Sequence, residues 1–473
     1  MFALDRRCLA LVTCAALAAV TPSLSAQPRA FPSDSAIRAV LVARVNGGIA
    51  PGYAVGLIDS TGATRIITVG TGAGSAPVDA HTLFEIGSIT KTFTGTILAS
   101  MVADRSVRLD QPVAELLPPG TRIPARGARQ ITLLDLATQS SGLPRMPGNF
   151  APKDPTNPYA DYDGARMLSF LASYELTRDP GAAYDYSNLG VGLLGYALAA
   201  RAKQSYEQLV TKRVLAPLGM RESAVALTPA LRARMSTGHD ASGAAVPLWD
   251  LDAIAGAGAL RSSITDMLRY LEANLAADVD PTSAKTHGLG AVLADAHAAR
   301  YTKGPSGMSL GLAWHRLPGP GGDTIVWHNG GTGGFTSFLG YSAKRKMGVV
   351  ILANSTSGPD GIAMHWLAGA PLPAATKPRN ATRAAITLPP ETLDRYVGRF
   401  EITPAFSLTV ARTGNSLTLT ATAQPTLALL AESPTRFFVR EVEADLEYEF
   451  DAAGNAVSLT LLQQGAKMRG VRK

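Results

Sequence analysis

The segment 88–91, which reads Ser-Ile-Thr-Lys, lies directly before an apolar run with helical spacing. If a helix begins near Ser88, residues three apart share one face and lie one turn apart. The Ser88 hydroxyl then lies beside the Lys91 amine, at a helix end whose free backbone N–H groups favour negative charge. The segment therefore predicts a nucleophile, an adjacent base and an anion-stabilising helix end. Because Ser-x-x-Lys is common by chance, its meaning depends on later segments of the chain.

Two later segments place polar side chains beside predicted elements. Residues 186–188 read Tyr-Ser-Asn and precede a glycine-spaced apolar run, 189–195, that we expect to pack as a helix against a core. Residues 328–335 read His-Asn-Gly-Gly-Thr-Gly-Gly-Phe and continue a predicted strand into a predicted pair of strands. The second segment thus lies at the start of a helix, and the third lies at the end of a strand.

In this order, the three segments resemble the Ser-x-x-Lys, Tyr-x-Asn and Lys/His-x-Gly motifs of the penicillin-recognising serine hydrolases. That family includes class C β-lactamases, D-alanyl-D-alanine carboxypeptidases and endopeptidases, and related esterases. The resemblance extends over roughly residues 35–368 and includes the segments 133–138 and 141–144. It implies a serine hydrolase that works through an acyl-enzyme.

The resemblance assigns the catalytic steps to three side chains. Ser88 would attack a carbonyl carbon, and water would later hydrolyse the acyl-enzyme. Lys91 can take the serine proton if burial beside other cations lowers its pKa enough to leave the amine neutral. Tyr186 is the second candidate, because a phenol held near Lys91 and His328 could lose its proton or relay it. The choice between Lys91 and Tyr186 as the main base stays open.

Further residues are predicted to bind the substrate. By resemblance, Asn188 would hydrogen-bond Lys91 and a substrate amide. The backbone N–H groups of Ser88 and Gly331 would form the oxyanion hole. Gly330 and Gly331 also fit a close approach of the backbone to a ligand, although glycines there could merely mark a bend in the strand.

The sequence departs from the common family pattern at three positions. His328 stands in place of Lys, so the positive charge there depends on pH. Asn329 stands in place of Thr or Ser, whose hydroxyl helps to bind carboxylates, and this favours slow β-lactam turnover relative to short-chain esters. Gln139 replaces the His or Tyr that relatives often carry. Arg261 is a further candidate carboxylate partner, because the loop that contains this position borders the active site in the family.

The order of predicted elements favours an α+β fold. Strands at both ends of a mainly helical middle indicate one antiparallel sheet flanked by helices, with a large helical subdomain. The predicted elements are helices at 33–45, 264–271 and 362–368 and strands at 53–58, 64–69, 311–317, 324–328, 336–341 and 348–354.

The pattern changes after this region. Residues 369–389 are rich in Pro and Ala and are predicted to be a linker between a catalytic domain, 27–368, and a small all-β domain, 390–473. Short alternating strands separated by turns predict a barrel or sandwich there, resembling the lipocalin-like modules of some family members. We expect this domain to be accessory, because all three motifs precede it. Its predicted strands are 396–401, 407–413, 416–420, 437–442, 446–451 and 456–463.

The N-terminal residues 1–26 have the pattern of a secretory signal peptide. Arg6 and Arg7 precede an apolar stretch and a small-residue segment that predicts cleavage near Ala26. The apolar stretch is too short to span a membrane. Both cysteines, Cys8 and Cys14, lie within the predicted signal. We therefore expect a periplasmic or secreted enzyme with no disulfides and no membrane span.

Composition argues against other classes of function. The net charge is +7, but the chain has no basic run, so we expect no nucleic-acid partner. The seven histidines lack metal-ligand spacing, and we expect neither a metal nor a cofactor. The hypotheses that stay open are a hydrolase of D-alanyl peptides or β-lactams, a carboxylesterase, and a penicillin-binding sensor without turnover. The expected substrate is a small molecule or a peptidoglycan peptide, and the oligomeric state is left open.

Overall fold

The computed structural model of the chain describes residues 30–373, 375, 383–403, 406–422, 426–440, 444–463 and 466–473. The predicted signal peptide lies outside these residues, as do residues 374 and 376–382 of the predicted linker. Among the helices in these ranges, none is both long and apolar enough to cross a bilayer.

The centre of the first domain is a seven-stranded antiparallel sheet. In chain order, the strands of this domain are β1 (Gly52–Ile58), β2 (Thr64–Gly70), β3 (Leu83–Glu85), β4 (Ala125–Arg126), β5 (Arg129–Gln130), β6 (Gly238–His239), β7 (Ala245–Val246), β8 (Arg261–Ser263), β9 (Ser309–Leu310), β10 (His315–Gly319), β11 (Asp323–Gly331), β12 (Thr336–Ser342) and β13 (Met347–Ala353). The sheet order is β2-β1-β13-β12-β11-β10-β9. β1 pairs with β13, so both ends of the domain contribute to one sheet, as predicted.

Helices cover both faces of this sheet. In chain order they are α1 (Asp34–Asn46), α2 (Thr90–Ala103), α3 (Leu133–Ala137), α4 (Gly164–Ser173), α5 (Asn188–Ala202), α6 (Tyr206–Val210), α7 (Pro229–Arg232), α8 (Ile264–Val279), α9 (Gly290–His297) and α10 (Asp360–Ala368). Side chains alternate along β12: Leu339 faces the core that contains α2, α5 and α8, and Phe338 faces the core of α1 and α10. Ser33 and Ser263 cap α1 and α8 through their side-chain oxygens. The predicted α+β fold is confirmed.

The predicted strand at 311–317 is wrong in its first half. Between β9 and β10, the N–H of Gly311 donates to the carbonyl of Trp314, 2.9 Å away, and Ala313 has φ of +61°. The chain therefore turns where the apolar sequence suggested a continuous strand. The N–H of Ala313 donates to the carbonyl of Ala137, a contact that no local pattern reveals.

The C-terminal domain is a closed eight-stranded barrel. Its strands are β14 (Gly398–Thr403), β15 (Phe406–Thr413), β16 (Ser416–Ala421), β17 (Thr426–Ala431), β18 (Arg436–Val439), β19 (Ala444–Phe450), β20 (Ala456–Gln463) and β21 (Ala466–Arg472). Aromatic rings such as Tyr396, Phe400 and Tyr448 pack inside it. The small all-β domain is confirmed, but β17 and β21 were missed. The residues of β17 do not alternate regularly between apolar and polar. In β21, Gly470 takes an inward position where the pattern requires an apolar side chain.

β11 and β12 pack tightly, backbone to backbone, against the segment before Ser88. A Cβ at Gly330 would lie 2.0 Å from the carbonyl oxygen of Ile86. The same oxygen accepts a hydrogen bond from the Ser337 hydroxyl at 2.8 Å. Glycine at position 330 therefore allows the sheet to contact the chain just before the Ser-x-x-Lys segment.

We expect Gly330→Ala to lower the free energy of unfolding by roughly 2 kcal/mol, because its methyl group overlaps a backbone oxygen that cannot rotate away. Gly331→Ala is the matched control, since no heavy atom lies within 4 Å of its Cβ position. Urea unfolding of the first domain measures both changes. Equal destabilisation by the two variants would contradict the close contact.

Candidate active site

Ser88 lies in one turn of 3-10 helix, Gly87–Ile89, that precedes α2. The α-helix itself begins at Thr90, so the expected helix start at Ser88 is a tighter turn instead. Gly87 has φ of +48°, and a Cβ there would lie 2.6 Å from the backbone nitrogen of Gly331. The turn thus contacts the end of β11, where the two predicted oxyanion-hole residues meet.

The amine of Lys91 is buried and has three oxygen neighbours. Its Nζ lies 2.9 Å from Ser88 Oγ, 2.9 Å from Asn188 Oδ1 and 2.7 Å from the carbonyl oxygen of Ala257. The last two oxygens only accept hydrogen bonds. A neutral amine therefore uses both of its N–H bonds on them and directs its lone pair at the Ser88 hydroxyl. In this arrangement, Lys91 can accept the proton of Ser88.

The pKa values of Lys91 and Tyr186 are shifted in opposite directions. Burial, and then the positive charge of Arg145, hold the pKa of Lys91 well below its usual value of 10.5. Burial raises the pKa of Tyr186 to about 12, although a hydrogen bond with Ser88 and the charge of Arg145 lower it. The Tyr186 ring centroid lies 5.0 Å from Lys91 Nζ. At neutral pH the phenol is therefore protonated, and the amine is the better proton acceptor.

Backbone hydrogen bonds hold Asn188 at the start of α5. Gln139 accepts the N–H of Ser187 on its side-chain oxygen and the N–H of Asp185 on its carbonyl, each at 2.7 Å. The carbonyl of Arg145 accepts the N–H of Asn188 at 3.0 Å. Gln139, which the sequence marked only as a departure, therefore positions the Tyr-Ser-Asn segment.

His328 lies beside Tyr186 and stacks on a second histidine, His315 of β10. The imidazole centroids are 4.7 Å apart, and the centroids of His328 and Tyr186 are 6.3 Å apart. Burial, then His315 and Lys91, hold the pKa of His328 well below 6.5. Burial and then Lys91 lower the pKa of His315 to about 4. Both rings are therefore neutral at neutral pH, and His328 supplies no positive charge there.

A cleft with about 300 Å³ of empty space opens at Ser88. Ser88, Asn188 and Gly331 line its polar side. Tyr159 and Trp249 also line it, with ring centroids 5.0 Å apart. Two aromatic side chains therefore belong to the lining of the cleft.

The sequence matches the Beta-lactamase family over residues 37–370. The chain belongs to the beta-lactamase family. Residues 382–472 match a domain family of unknown function, DUF3471. Family membership confirms that the protein is a serine hydrolase.

Two curated relatives illustrate the similarity. A beta-lactamase of Pseudomonas fluorescens is 29% identical over 310 residues, which cover 59% of this chain and 81% of the relative. The D-alanyl-D-alanine-carboxypeptidase/endopeptidase AmpH of Escherichia coli K12 is 29% identical over 275 residues, which cover 56% of this chain and 69% of AmpH.

Solved structures share the fold. A beta-lactamase/D-alanine carboxypeptidase of Yersinia pestis, complexed with citrate, has a TM-score of 0.58 at 23% identity and covers 68% of this chain and 94% of its own. A class C beta-lactamase mutant has a TM-score of 0.59 at 22% identity and covers 68% of this chain and 92% of its own. The beta-lactamase fold of the first domain is therefore established.

In this beta-lactamase family member, Asn329 does not face the cleft side of β11. Successive side chains of a strand point to opposite faces, and His328 takes the side of Tyr186. Asn329 Nδ2 instead donates to Asp360 Oδ2, 2.7 Å away at the start of α10. Burial raises the pKa of Asp360 to about 6. The expected contact between Asn329 and a substrate is thus replaced by a bond that joins β11 to α10.

Arg261 is buried among acidic side chains and backbone carbonyls. Its guanidinium is buried, lies 3.5 Å from Glu85 and donates to Asp250 at 3.0 Å. It also donates to the carbonyl of Trp249, whose N–H donates to Glu85 at 2.8 Å. Arg261 and Glu85 together therefore fix the backbone of the cleft-lining Trp249. Both terminal nitrogens of Arg261 donate to protein oxygens, and its buried Nε has no partner among the residues that the structure describes. The role of Arg261 as a carboxylate partner stays a prediction.

The structure brings together most of the predicted site and adds residues that the sequence missed. Ser88, Lys91, Tyr186, Asn188, His328, Gly330 and Gly331 converge at one end of β11. His315 was missed because its stacking depends on the pairing of β10 with β11. Among the residues that the structure describes, no group of three or more His, Cys, Asp or Glu side chains could hold a metal ion.

We expect Arg261→Met to lower the free energy of unfolding by roughly 3 kcal/mol, because Glu85 would keep a buried charge without its partner. Adding Glu85→Gln should restore part of the loss. Arg126→Met is the control, since Arg126 pairs with Asp179 at the exposed surface and should matter by less than about 1 kcal/mol. Chemical unfolding compares the three variants, and equal effects of the two arginine changes would contradict the buried pair.

Proposed function

We propose that the protein is an exported hydrolase that forms an acyl-enzyme on Ser88 and acts on D-alanyl peptides or β-lactams. The observation that carries the proposal is the amine of Lys91, 2.9 Å from Ser88 Oγ, with its two other oxygen neighbours acting only as acceptors. The relatives named beta-lactamase and D-alanyl-D-alanine-carboxypeptidase/endopeptidase support this class of substrate. The signal-peptide pattern of residues 1–26 supports export.

Acylation follows from the geometry in two steps. Ser88 Oγ attacks the substrate carbonyl carbon while its proton passes to Lys91 Nζ. The carbonyl oxygen gains the negative charge, and the backbone N–H groups of Ser88 and Gly331 stabilise it, each donor contributing roughly 3 kcal/mol. The bond to the leaving group then breaks. The protonated phenol of Tyr186 gives its proton to the leaving atom and regains one from Lys91.

Deacylation repeats these two steps with water in place of the serine. A water molecule donates its proton to the Lys91–Tyr186 pair as its oxygen attacks the acyl carbon. The same two N–H groups stabilise the second tetrahedral intermediate. The serine oxygen is the leaving atom and takes the proton back, which restores the resting site.

A carboxylesterase is the second candidate. Asn329 is bonded to Asp360, and His328 is neutral at neutral pH, so β11 lacks two groups that the family resemblance assigned to carboxylate binding. Short esters without a carboxylate need neither group. This observation favours esters over β-lactams as fast substrates.

A substrate panel separates these possibilities. p-Nitrophenyl esters, nitrocefin and D-Ala-D-Ala peptides are each given to the full chain, with product release followed by absorbance or by chromatography and acylation by intact mass. Repeated release from the peptides or nitrocefin supports the first proposal, and release from the esters alone supports the esterase. Acylation that stops after one equivalent would identify a penicillin-binding sensor.

We expect Ser88→Ala to abolish covalent labelling by a fluorophosphonate probe and to lower kcat/KM by at least about a thousandfold, because the variant lacks the attacking oxygen. Ser309→Ala is the matched control. Ser309 fits a G-x-S-x-G pattern, but it lies in the short strand β9. Labelling that persists in Ser88→Ala, or a labelled peptide that contains Ser309, would contradict the assignment.

We expect kcat/KM for a neutral ester to fall as the pH decreases through the lowered pKa of Lys91, because only the neutral amine accepts the serine proton. Since burial and Arg145 lower this pKa, the midpoint should lie well below 10.5. Arg145→Gln should raise the midpoint, because it removes a neighbouring positive charge. Rates measured from about pH 5 to pH 10 test both statements. If the midpoint does not move in Arg145→Gln, the fall of kcat/KM at low pH is caused by the protonation of another group.

A further inference from the structure

Backbone hydrogen bonds hold Arg145 against the start of α5. Its carbonyl accepts the N–H groups of Asn188 at 3.0 Å and of Leu189 at 3.3 Å, at the first turn of α5. The same turn carries the Asn188 side chain that lines the cleft and contacts Lys91. The position of Arg145 relative to the reacting groups is therefore set by two backbone hydrogen bonds.

The Arg145 guanidinium lies over the ring of Tyr186, with its central carbon 5.1 Å from the ring centroid. Its charge acts on Lys91, on Tyr186 and on the cleft-lining Tyr159. Of these residues, Tyr159 lines the cleft, and Lys91 contacts the cleft-lining Ser88 and Asn188. A cation on this face of the Tyr186 ring is close to the place where the leaving group departs, because Tyr186 is the proposed proton donor to it.

Arg145 is exposed, and its side chain has no hydrogen bond or ion pair with any residue that the structure describes. Other arginines of the same subdomain are paired: Arg178 bonds Asp185 at 2.6 Å, and Arg129 contacts Asp135 at 3.2 Å. A guanidinium offers five N–H donors in a planar fork that matches a carboxylate. Arg145 keeps this fork available beside the cleft.

The other groups first considered for carboxylate binding are occupied or uncharged. Arg261 is buried against Glu85, and Asn329 is bonded to Asp360. Lys91 uses its N–H bonds on Asn188 and Ala257 and is favoured as the neutral amine. A substrate carboxylate at the cleft therefore needs another cation.

We propose that Arg145 binds a carboxylate on the leaving group of the substrate and thereby selects acyl donors that carry one, such as the C-terminal residue of a peptide. The inference rests on the proposed acyl transfer to Ser88 and names its substrate class. It gives Arg145 a role in specificity, in addition to the effect of its charge on Lys91 and Tyr186.

A matched pair of substrates tests this role. One is an N-acyl-D-alanyl thioester of thioglycolate, whose leaving group carries a carboxylate, and the other is its methyl ester, which has the same acyl group and scissile bond. Released thiol is measured for the wild type, Arg145→Gln and Arg145→Lys. Arg221→Gln is the control, because it removes one exposed positive charge that is not among the charges acting on Lys91, Tyr186 or Tyr159.

The expected result is a change in the ratio of kcat/KM between the two substrates. In Arg145→Gln, the preference for the carboxylate substrate should fall by about tenfold to a hundredfold, the range that a hydrogen bond to a charged group provides. Arg145→Lys should keep part of the preference, since it keeps the charge but loses the fork. Arg221→Gln should leave the ratio unchanged.

Two other outcomes have distinct meanings. If Arg145→Gln slows both substrates equally, the arginine acts only through its charge on Lys91 and Tyr186, and the specificity role is overturned. If intact mass shows no acylation of Ser88 by either substrate in the wild type, the proposed function fails first, and the inference drawn from it fails with it.

Discussion

Three oxygen atoms surround the buried amine of Lys91, and they come from parts of the chain that are far apart. Ser88 belongs to the turn before α2, Asn188 begins α5, and Ala257 ends a 3-10 turn, Ala255–Ala257. The two acceptor-only oxygens leave one direction free for the lone pair, so the basicity of the site depends on the packing of these elements against one another.

The glycine-spaced run in α5 makes that packing possible. A Cβ at Gly195 would lie 2.9 Å from the Cα of Gly256, so the helix and the 3-10 turn touch through their backbones. A larger residue at either position would move the carbonyl of Ala257 away from Lys91. The amine would then lose the acceptor that takes one of its N–H bonds, and its lone pair would no longer be held on Ser88.

Burial of these bases affects stability as well as reactivity. The folded pKa values of Lys91 and His315 lie below their ordinary values, so the unfolded chain binds these protons more tightly. Each group lowers the free energy of unfolding by its full amount at a pH below its folded pKa, and has no effect at a pH above its ordinary pKa. For His315 the destabilisation disappears between about pH 4 and pH 6.5, so little of it is left at neutral pH. For Lys91 the destabilisation disappears only as the pH approaches 10.5, so the buried amine lowers the stability of the enzyme at neutral pH.

Local spacing accounts for what the sequence could predict. Ser88 and Lys91 are three residues apart, and Tyr186 and Asn188 are two apart, so each pair is brought together by a single turn of chain. The β-barrel and the central sheet follow from strand patterns of the same short range. The partners of Arg261 and the stack of His315 on His328 depend on contacts between distant segments. So does the position of the Arg145 guanidinium, which has no hydrogen bond or ion pair with any residue that the structure describes. Residue type alone could not assign them, and for Arg261 it suggested a substrate partner where the fold uses a buried ion pair.

The pairing of β1 with β13 has a consequence for the order in which the enzyme is assembled. Tyr53 is opposite Ala353, so β1, the second strand of the sheet, has to wait for a partner that is synthesised about 300 residues later. Contacts of such long sequence separation make folding slow, because the intervening chain must be ordered before they form. Until β13 emerges, the apolar strand β1 has an unpaired edge that can associate with other chains. The helices that carry the reacting groups can form early, but the sheet that holds them closes only after nearly the whole first domain has been made.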